Sequence, residues 1–463
     1  MSTDYVLQTT YYRLRMKVVT RFPPSPTGYF HIGSARTALF NYLFAAHEGG
    51  VMYLRFEDTD KERSRKEYEE DILAGLAWLG IKYEMPEHPR QSERTHVYQN
   101  YVPRLIKTGA AYEAEESKMG GGRVVRFKNP NTTVRFTDLI RGEISFDTAE
   151  LKDFIIARNL NEPLYHLAVV IDDHEMGVSH IIRGEDHISN TQRQILILEA
   201  LGFKRPEYAH IPLILAPDRT KLSKRHGALS VNEYRAQGYL PEALVNYLTL
   251  LGWNPGGVRE IYSLEELVEQ FDIAQIQKSS AIFDIEKLQW FNREYIRRLS
   301  DDAFGREVAG VLKEVMAPRG IFHIDPVLLT KLTPLLKERV SVWDDIRVLA
   351  GEGELDYFFM NPRIDPPLLP GKNSDVDTAK KHLVEIRKML GDLPSEDFKN
   401  VEAVKTALWD YATREGRGAV LWPFRYALTG KERSPDPFTI SAIIGKHASL
   451  LRIDNAYEIL KGS

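Results

Sequence analysis

The sequence contains no cysteine, and this absence sets the first limits on the protein. Without thiols it forms no disulfide and holds no zinc on cysteine ligands, which fits a reducing cytosol. No apolar stretch approaches the ~20 residues that span a bilayer, and the polar start MSTDYVLQTTYYRLRM is unlike a secretory signal. We therefore expect a cytoplasmic enzyme or binding protein with no membrane partner.

An excess of charge of one sign is also missing. The 61 basic and 65 acidic side chains leave a formal net charge of −4, so there is no general basic coat for nucleic acid, although a local basic face is still allowed. Hydrophobic residues make up 43% and charged residues 27% of the 463 positions, which is an ordinary globular composition. The length predicts roughly three domains of ~150 residues each.

The N-terminal part alternates between strand and helix patterns. Residues 18–22 and 52–56 are short β-prone runs, and helical periodicity follows them at 33–47 and 68–79. This rhythm predicts an α/β fold with a parallel sheet and crossover helices.

The rhythm is interrupted around residues 110–160, where short alternating runs predict an inserted antiparallel region. It then returns, with predicted strands at 167–171, 181–182 and 211–215 and a predicted helix at 191–201. From about residue 235 onward helical periodicity dominates. The four prolines of residues 361–370 predict a connection between helical units, because proline cannot continue a helix.

Residues 26–34, PTGYFHIGS, follow the first predicted strand and open the first helix. A helix N-terminus at the carboxyl end of a parallel strand suits a phosphate, because its backbone N–H groups are free. His31 can donate to a phosphate oxygen, and Gly33 lets a flat base approach the backbone. The alternative is a plain strand-to-helix turn with one polar histidine.

The second candidate is the loop 219–225, which carries four cations and has no apolar stripe. An isolated run of this kind is usually a solvated basic loop. Its position after a predicted strand favours a mobile loop that clamps a polyphosphate with Lys221 and Lys224.

These two elements carry a family resemblance. HIGS and KLSKR resemble the HIGH and KMSKS signatures of class I aminoacyl-tRNA synthetases. Longer blocks, in the expected order, resemble bacterial-type glutamyl-tRNA synthetases, and the resemblance runs from about Lys17 to the C-terminus. The blocks are TRFPPSPTGYFHIGSARTALFNYLFA, RFEDTDKERS, VIDDHEMGVSHIIRGEDHISNT and KLSKRHGALSVNEYRAQGYLPEALVNYL.

The resemblance implies a class I Rossmann-like catalytic domain, an inserted α+β acceptor-binding region and an all-α C-terminal anticodon-binding domain. Residues 1–15 precede the usual start of the family, so we expect a leader before Met16 whose deletion leaves charging intact. The implied domains are 16–110 with 160–235 (catalytic), 111–159 (tRNA acceptor end), 236–320 (stem contact) and 321–463 (anticodon).

The implied reaction is the ATP-dependent activation of L-glutamate to glutamyl-adenylate, followed by transfer to the 3′ end of tRNA(Glu). Because the attacking carboxylate is already an anion, catalysis depends on alignment and on neutralising phosphate charge. The resemblance assigns catalysis to His31, Lys221 and Lys224, with Mg²⁺ on the phosphates. The implied ATP-binding residues are His31, Gly33, Ser34, Asp186, Lys221, Ser223, Lys224 and Arg225.

The glutamate pocket is also assigned by the resemblance. A guanidinium at Arg21 can bind the side-chain carboxylate bidentately, and Glu57 can hold the ammonium group. Individually, Arg21 and Glu57 are equally compatible with a structural ion pair, and Tyr165 with a core aromatic. The implied glutamate-binding residues are Arg21, Ser25, Glu57, Tyr165, Arg183 and His187.

We assign no metal to the protein itself. Asp58 and Asp60 are interpreted as capping the second helix, and the sequence does not indicate ligands for Mg²⁺. Asp172 and Asp173 are expected to follow a strand and to touch ribose or order the site. Some relatives carry zinc-binding cysteines near Tyr112, and this chain has none, so no zinc is expected.

Contacts with tRNA have two candidate regions. Trp290, Arg293, Tyr295, Arg297 and Arg298 combine cations with aromatics, which suits RNA, although an ordinary amphipathic helix has the same composition. The block 421–430 with Ser434-Pro435 matches the C-terminal pattern of the family. The implied anticodon contacts are Arg425, Thr429, Ser434 and Pro435.

Several alternatives stay open at this point. They are a non-discriminating enzyme that also charges tRNA(Gln), a truncated relative that glutamylates a modified base, a glutaminyl enzyme, and a non-catalytic RNA-binding paralogue. The long helical C-terminal part disfavours the truncated and glutaminyl forms, and the two intact motifs disfavour the paralogue. We expect a monomer.

Overall fold

The computed structural model divides the chain into two units, Met1–Asn292 and Arg293–Ser463. Within the described residues, no helix is long and apolar enough to cross a membrane. The described residues are 17–116, 122–220, 222, 229–372 and 374–462.

The first unit begins with a β–α–β motif. Strand β1 (Val19–Phe22) runs parallel to β2 (Val51–Leu54), and helix α1 (Ile32–His47) connects them. Gly50 makes the return possible, because a Cβ there would lie 2.0 Å from the carbonyl oxygen of Val18. The predicted strand–helix–strand order is confirmed. Three helices follow: α2 (Lys66–Trp78), α3 (Thr95–Tyr98) and α4 (Val102–Lys107).

Eight further strands form two four-stranded sheets: β3 (Ala111–Glu116), β4 (Gly122–Phe127), β5 (Thr133–Asp138), β6 (Gly142–Asp147), β7 (Phe154–Asn159), β8 (Glu162–Pro163), β9 (His180–Gly184) and β10 (Glu207–Ile211). One sheet has the order β3-β4-β7-β8 and is antiparallel, as predicted for this region. The other has the order β6-β5-β10-β9, and β10 is parallel to β5 and to β9. The β5–β6 hairpin of the inserted segment is therefore bonded to strands that come later in the chain.

The predicted strand at 167–171 is wrong. These residues lie in helix α5 (Tyr165–Glu175), which is followed by α6 (Ile188–Ala200). Every side chain from Leu167 to Asp173 is buried, so the helix shows no polar stripe. A short, wholly buried apolar run has no period that separates helix from strand.

The predicted strand at 211–215 is divided in two. Strand β10 ends at Ile211, and β11 (Ile214–Leu215) begins after Pro212, which has no N–H to donate to a ladder. Strand β11 pairs in parallel with β12 (Ala281–Ile282). The intervening helices are α7 (Val231–Ala236), α8 (Pro241–Leu250) and α9 (Leu264–Gln270).

Helix α10 (Ile285–Arg298) contains the boundary between the units, and the second unit is helical as predicted. The proline-rich stretch 361–370 lies between the helices Asp356–Phe359 and Val376–Asp392 and contains no α-helix. The remaining helices are α11 (Asp301–Met316), α12 (Pro326–Arg339), α13 (Trp343–Gly351), α14 (Asp356–Phe359), α15 (Val376–Asp392), α16 (Val401–Glu415), α17 (Arg417–Thr429) and α18 (Pro437–Lys461).

Candidate active site

A cleft of about 790 Å³ opens in the first unit, where β1, β9 and β10 end and α1 begins. It brings together side chains from segments that are far apart in the sequence. The predicted site residues that line it are Arg21, Ser25, His31, Gly33, Ser34, Glu57, Tyr165, Arg183, Asp186 and His187.

His31 is the N-cap of α1. Its Nδ1 accepts a hydrogen bond from the backbone N–H of Ser34 at 3.2 Å, and its Nε2 lies 3.1 Å from Ser34 Oγ. A Cβ at Gly33 would lie 3.1 Å from Nδ1, so glycine leaves room for the ring itself. Since the cap uses Nδ1 as acceptor, the proton of the neutral ring lies on Nε2, where it faces Ser34 Oγ at the positive end of the helix.

Lys221, Ser223, Lys224 and Arg225 lie outside the described residues. Leu222, from the same loop, lines the cleft together with His31. On the far side of the loop, Val231 N donates to Phe30 O at 2.8 Å, and Ser230 pairs with His31 in a β-bridge. Ser230 and Val231, which follow the lysine loop (residues 219–225) in the sequence, are thus bonded directly to the histidine turn (residues 26–34).

Arg21 lies at the bottom of the cleft with 2% of its surface exposed. Its Nε is 3.3 Å from Asp173 Oδ2, and among the described residues its buried Nη1 has no hydrogen-bond partner. A buried cation with an unsatisfied donor that lines a cavity indicates a missing acceptor. A ligand carboxylate meets this requirement.

Glu57 and Arg21 are linked through other residues rather than to each other. Arg55 is fully buried, and it lies 3.1 Å from Glu57 Oε1 and 2.9 Å from Asp173 Oδ1. Burial raises the pKa of Glu57 to about 7, and Arg55 only partly counteracts this. Burial by itself would lower the pKa of Arg55, but Asp173, Asp172 and Glu57 together raise it.

The interpretation of Asp172 and Asp173 as residues that follow a strand is wrong, because both belong to α5 and are buried. Asp173 pairs with Arg21 and Arg55, and that it orders the site stays a prediction. Asp172 does not line the cleft. Both of its oxygens are used inside the protein by Gln91, Arg94 and Tyr98, at 2.7–3.1 Å.

Arg183 enters the cleft from the end of β9 and is 6% exposed. It donates to His210 Nε2 at 3.2 Å, to Gln194 Oε1 at 2.8 Å and to Thr191 Oγ1 at 2.7 Å. Burial lowers the pKa of Arg183, and none of these three acceptors carries a negative charge that would counteract it.

Tyr165 and His187 form a second pair in the cleft wall. Tyr165 is the first residue of α5, and its hydroxyl is hydrogen-bonded to His187 Nδ1 at 3.1 Å. Burial, and then the charge of Arg183, lower the pKa of His187 to about 4, so this ring is neutral near pH 7. Asp186 beside it is exposed at the cleft rim, and a Cβ at Gly184 would lie 2.4 Å from its Oδ1.

The capping interpretation of Asp58 and Asp60 is wrong. The N-cap position of α2 is Arg65, which makes no side-chain cap bond. Asp58 accepts from Ser92 N at 2.8 Å, and Asp60 pairs with Arg63 at 2.6 Å on the surface. Across the described ranges, no group of three or more His, Asp or Glu side chains is arranged to hold a metal ion.

Sequence reasoning missed several residues that shape the cleft. Arg36 lines it and donates to Leu251 O at 2.9 Å, and burial lowers its pKa to about 10. Arg55, Asp138 and His210 lie behind the cleft residues. For Arg55, Asp138 and His210 the only available signal was an ionisable residue inside or next to a strand, and this does not reveal which group it will meet.

In the second unit, the predicted anticodon residues lie together at the end of α17 and in the following turn. The Arg425 guanidinium lies 5.0 Å from the centre of the Trp422 ring and donates to Glu432 O at 2.8 Å. Ser434 Oγ donates to Pro435 O at 3.0 Å. Thr429 is buried, and its hydroxyl donates to Arg425 O at 2.9 Å.

The basic residues of α10 are partly engaged within the protein. Arg293 donates to Ser341 Oγ at 2.6 Å, and Arg297 pairs with Glu294 at 3.2 Å. The Lys287 ammonium lies 4.1 Å from the centre of the Trp290 ring.

Family comparisons agree with this architecture. The family described as "tRNA synthetases class I (E and Q), catalytic domain" matches residues 17–119 and 113–290, and the family described as "Anticodon binding domain" matches 286–457. The fold and these matches define a class I aminoacyl-tRNA synthetase.

Individual relatives narrow the class. A glutamate–tRNA ligase of Oleidesulfovibrio alaskensis is 41% identical over 95% of this chain and 99% of its own length. Glutamate–tRNA ligase 1 of Rubrobacter xylanophilus is 42% identical, over 95% and 98%. The chain belongs to the glutamate–tRNA ligase family.

Two solved structures are similar over nearly the whole chain. One is a glutamate–tRNA ligase from Elizabethkingia meningosepticum in complex with its amino acid, with a TM-score of 0.83, 31% identity and coverage of 96% of this chain and 99% of that one. The other is the glutamate–tRNA synthetase of Elizabethkingia anophelis, with a TM-score of 0.80, 32% identity and coverage of 96% and 100%.

Proposed function

We propose that this chain activates L-glutamate with ATP to glutamyl-adenylate and pyrophosphate, and transfers the glutamyl group to the 3′ end of tRNA(Glu). The observation that carries the proposal is that two buried guanidinium groups, Arg21 and Arg183, line the same cleft as the His31 turn. The cations suit the carboxylates of glutamate, and the helix N-terminus suits the phosphates of ATP.

In the first step, an oxygen of the substrate α-carboxylate attacks the α-phosphorus of ATP. The new O–P bond forms as the bond to the bridging oxygen breaks, and the electron pair leaves with pyrophosphate. No proton has to be removed from the nucleophile, so the protein contributes alignment and charge. We assign the stabilisation of phosphate charge to His31, Lys221 and Lys224.

In the amino-acid pocket, Arg21 pairs with the side-chain carboxylate through its Nη1 and Glu57 holds the ammonium group. Ser25, Tyr165, Arg183 and His187 complete the walls. Glutamine is rejected because its amide leaves a buried cation uncompensated. Aspartate is one methylene shorter and fails to reach Arg21.

We assign the tRNA contacts to separate segments: 111–159 to the acceptor end, 236–320 to the inner stem and 321–463 to the anticodon. The anticodon-binding family match supports the last of these. Because the described residues show no group of side chains arranged to hold a metal ion, we propose that Mg²⁺ arrives on the phosphates of ATP. We also propose that the protein is cytoplasmic and monomeric. Light scattering, which measures molar mass in solution, tests the monomer.

ATP–pyrophosphate exchange tests the amino-acid proposal, with tRNA present and glutamate, glutamine or aspartate supplied in turn. We expect exchange with glutamate alone, and Arg21→Ala should mainly damage glutamate use. Arg63→Ala, which removes an arginine exposed at the surface, is the matched control. Equal exchange with glutamine, or an Arg21→Ala variant that behaves like the control, would contradict the assignment.

Charging of purified tRNA(Glu) and tRNA(Gln) separates the proposed enzyme from one that serves both. We expect glutamate on tRNA(Glu) only. Glutamate on both tRNAs would instead indicate the non-discriminating form.

A further inference from the structure

Arg183 is held from behind by three acceptors, and one of them is a histidine. Its Nε donates to His210 Nε2, while Nη1 and Nη2 donate to Gln194 Oε1 and Thr191 Oγ1. Each Nη atom keeps a second N–H, and Arg183 lines the cleft. The three acceptors therefore determine where these N–H groups point.

The contacts of His210 define its tautomer. Nε2 faces the Nε–H of Arg183 at 3.2 Å and also lies 3.1 Å from Thr191 Oγ1. Because a guanidinium only donates and a hydroxyl can donate as well, Nε2 offers its lone pair. Nδ1 lies 2.6 Å from Asp138 Oδ2 and must carry the proton. Burial lowers the pKa of His210. The hydrogen bond to Asp138 partly counteracts this and Arg183 lowers the pKa further, so the net shift favours the neutral ring.

Asp138 can act here only as an acceptor. Oδ2 receives the backbone N–H of His210 at 3.0 Å as well as its ring N–H, and Oδ1 receives the N–H groups of Ile140 at 3.0 Å and Arg141 at 2.8 Å. Burial alone would raise the pKa of Asp138, but these hydrogen bonds outweigh it and the net pKa is lowered. Asp138 is 1% exposed and His210 0%, so water does not replace either partner.

We propose that Asp138 and His210 are positioning residues for Arg183: the carboxylate fixes the Nδ1–H tautomer of His210, whose Nε2 then orients Arg183 toward the amino acid. Neither residue touches substrate. Asp138 ends strand β5 of the inserted segment, so this segment helps to shape the amino-acid pocket. The inference rests on the proposed role of Arg183 in binding glutamate.

Two replacements of His210 separate positioning from simple packing. Glutamine presents an oxygen near the place of Nε2 and keeps the acceptor for Arg183. Asparagine presents an N–H near the place of Nδ1 and keeps only the bond to Asp138. We expect His210→Asn to raise KM for glutamate ~10-fold or more, as for loss of a hydrogen bond to a buried charge, and His210→Gln to stay within ~3-fold of wild type. KM for ATP should change little in both.

Asp138→Asn is an independent variant. If the new amide N–H₂ faces His210, the tautomer of His210 reverses and its Nε2–H is placed against Arg183 Nε–H. If the amide flips, its N–H₂ is instead placed against the backbone N–H groups of Ile140 and Arg141. A carboxamide in place of a carboxylate beside a histidine is known to impose the wrong tautomer. We expect the same selective rise in KM for glutamate as in His210→Asn.

His382 supplies a matched control, since it is also buried and bonds through Nδ1, to Tyr411 Oη at 2.8 Å. His382→Asn should alter Tm at most. All variants are measured by ATP–pyrophosphate exchange with tRNA present, alongside Tm. Equal KM values for glutamate in His210→Asn and His210→Gln, or a defect in ATP use alone, would overturn the proposal.

The histidine ring ¹⁵N NMR signals of the wild-type protein give a direct readout of the tautomer. The His210 signals, identified by their absence from the spectrum of His210→Gln, should show a protonated Nδ1 and an unprotonated Nε2. A protonated Nε2 contradicts the inference.

An inactive wild-type protein would contradict the proposed function. An active wild-type protein together with a normal Arg183→Ala variant would contradict the role of Arg183 in binding glutamate. A defect in Arg183→Ala with normal His210→Asn would sink this inference alone.

Discussion

Arg21 and Glu57 are held in the cleft wall by two buried residues, Arg55 and Asp173, that do not line the cleft. Arg55 pairs directly with Glu57, and it is linked to Arg21 through Asp173. The ion pairs of both cleft residues therefore meet at one buried guanidinium. Removing one member of such a network leaves an uncompensated buried charge. Single substitutions there should therefore act on binding and on stability together.

Glu57 should make glutamate use depend on pH. Its pKa is raised to about 7, so the group is largely protonated below that pH and cannot pair with the substrate ammonium. KM for glutamate should fall as the pH rises from about 6 to about 8. The stability contribution has the opposite sign, since the folded state holds this proton more tightly than the unfolded chain and the contribution is lost as the pH rises through about 7.

The nearby histidines do not obscure this test, because the pKa values of His166 and His187 are lowered to about 4, in both cases chiefly by burial. Glu57→Gln should flatten the profile of KM against pH. A profile that is unchanged in this variant would assign the pH dependence to another group.

Lys224 is a prediction from sequence, since it lies outside the described residues. Lys224→Ala should lower glutamyl-adenylate formation by at least ~10²-fold, as expected for a charge placed on the transition state. Single-turnover measurement of adenylate formation checks it. Lys204→Ala, at an exposed position beyond α6, is the control, and near-normal turnover in Lys224→Ala would remove the assigned role.

At the scale of elements, Asp71 connects three segments: α2, the histidine turn and α7. Its Oδ2 accepts from Phe30 N at 2.7 Å, just before α1, and its Oδ1 accepts from Asn232 Nδ2 at 2.7 Å, in α7. Asp71 itself lies in α2, so one carboxylate aligns the histidine turn with the helix that follows the lysine loop.

Asp71→Ala should therefore affect ATP more than glutamate. We expect KM for ATP to rise by up to about tenfold, equivalent to about 1.4 kcal/mol, the size expected for a lost hydrogen bond to a charged group. Tm should fall as well. Asp60→Ala removes only an exposed pair with Arg63 and should change neither quantity. A larger effect of Asp71→Ala on glutamate than on ATP would contradict this alignment.

Some of these secondary-structure elements could be predicted from the sequence and others could not. The strands and helix of residues 18–56 were predictable because apolar spacing, the proline-rich turn and Gly49-Gly50 agree with one another. The helix at 165–175 was not, because burial on every side removes the periodicity on which the prediction depends.

At the scale of the whole molecule, the second unit should act on tRNA and leave amino-acid activation alone. Arg425→Ala removes a cation that lies against Trp422, so we expect a rise in KM for tRNA with little change in KM for glutamate. Charging assays over a range of tRNA concentrations measure both. Arg387→Ala, which removes an exposed pair with Asp454, is the control within the same unit. An Arg425→Ala variant with an unchanged KM for tRNA would exclude this contact.

The sequence by itself determined the strand–helix–strand order of residues 18–56, the helical second unit, the two signature motifs and the family, because these depend on residues close together along the chain. The tertiary structure alone decided which side chains share the cleft and which groups support them: Arg55 meets Asp173 across 118 positions, and Asp138 meets His210 across 72. The physical reason is that burial and electrostatic pairing depend on distance in space, and a local pattern carries no record of which distant charge a residue will meet.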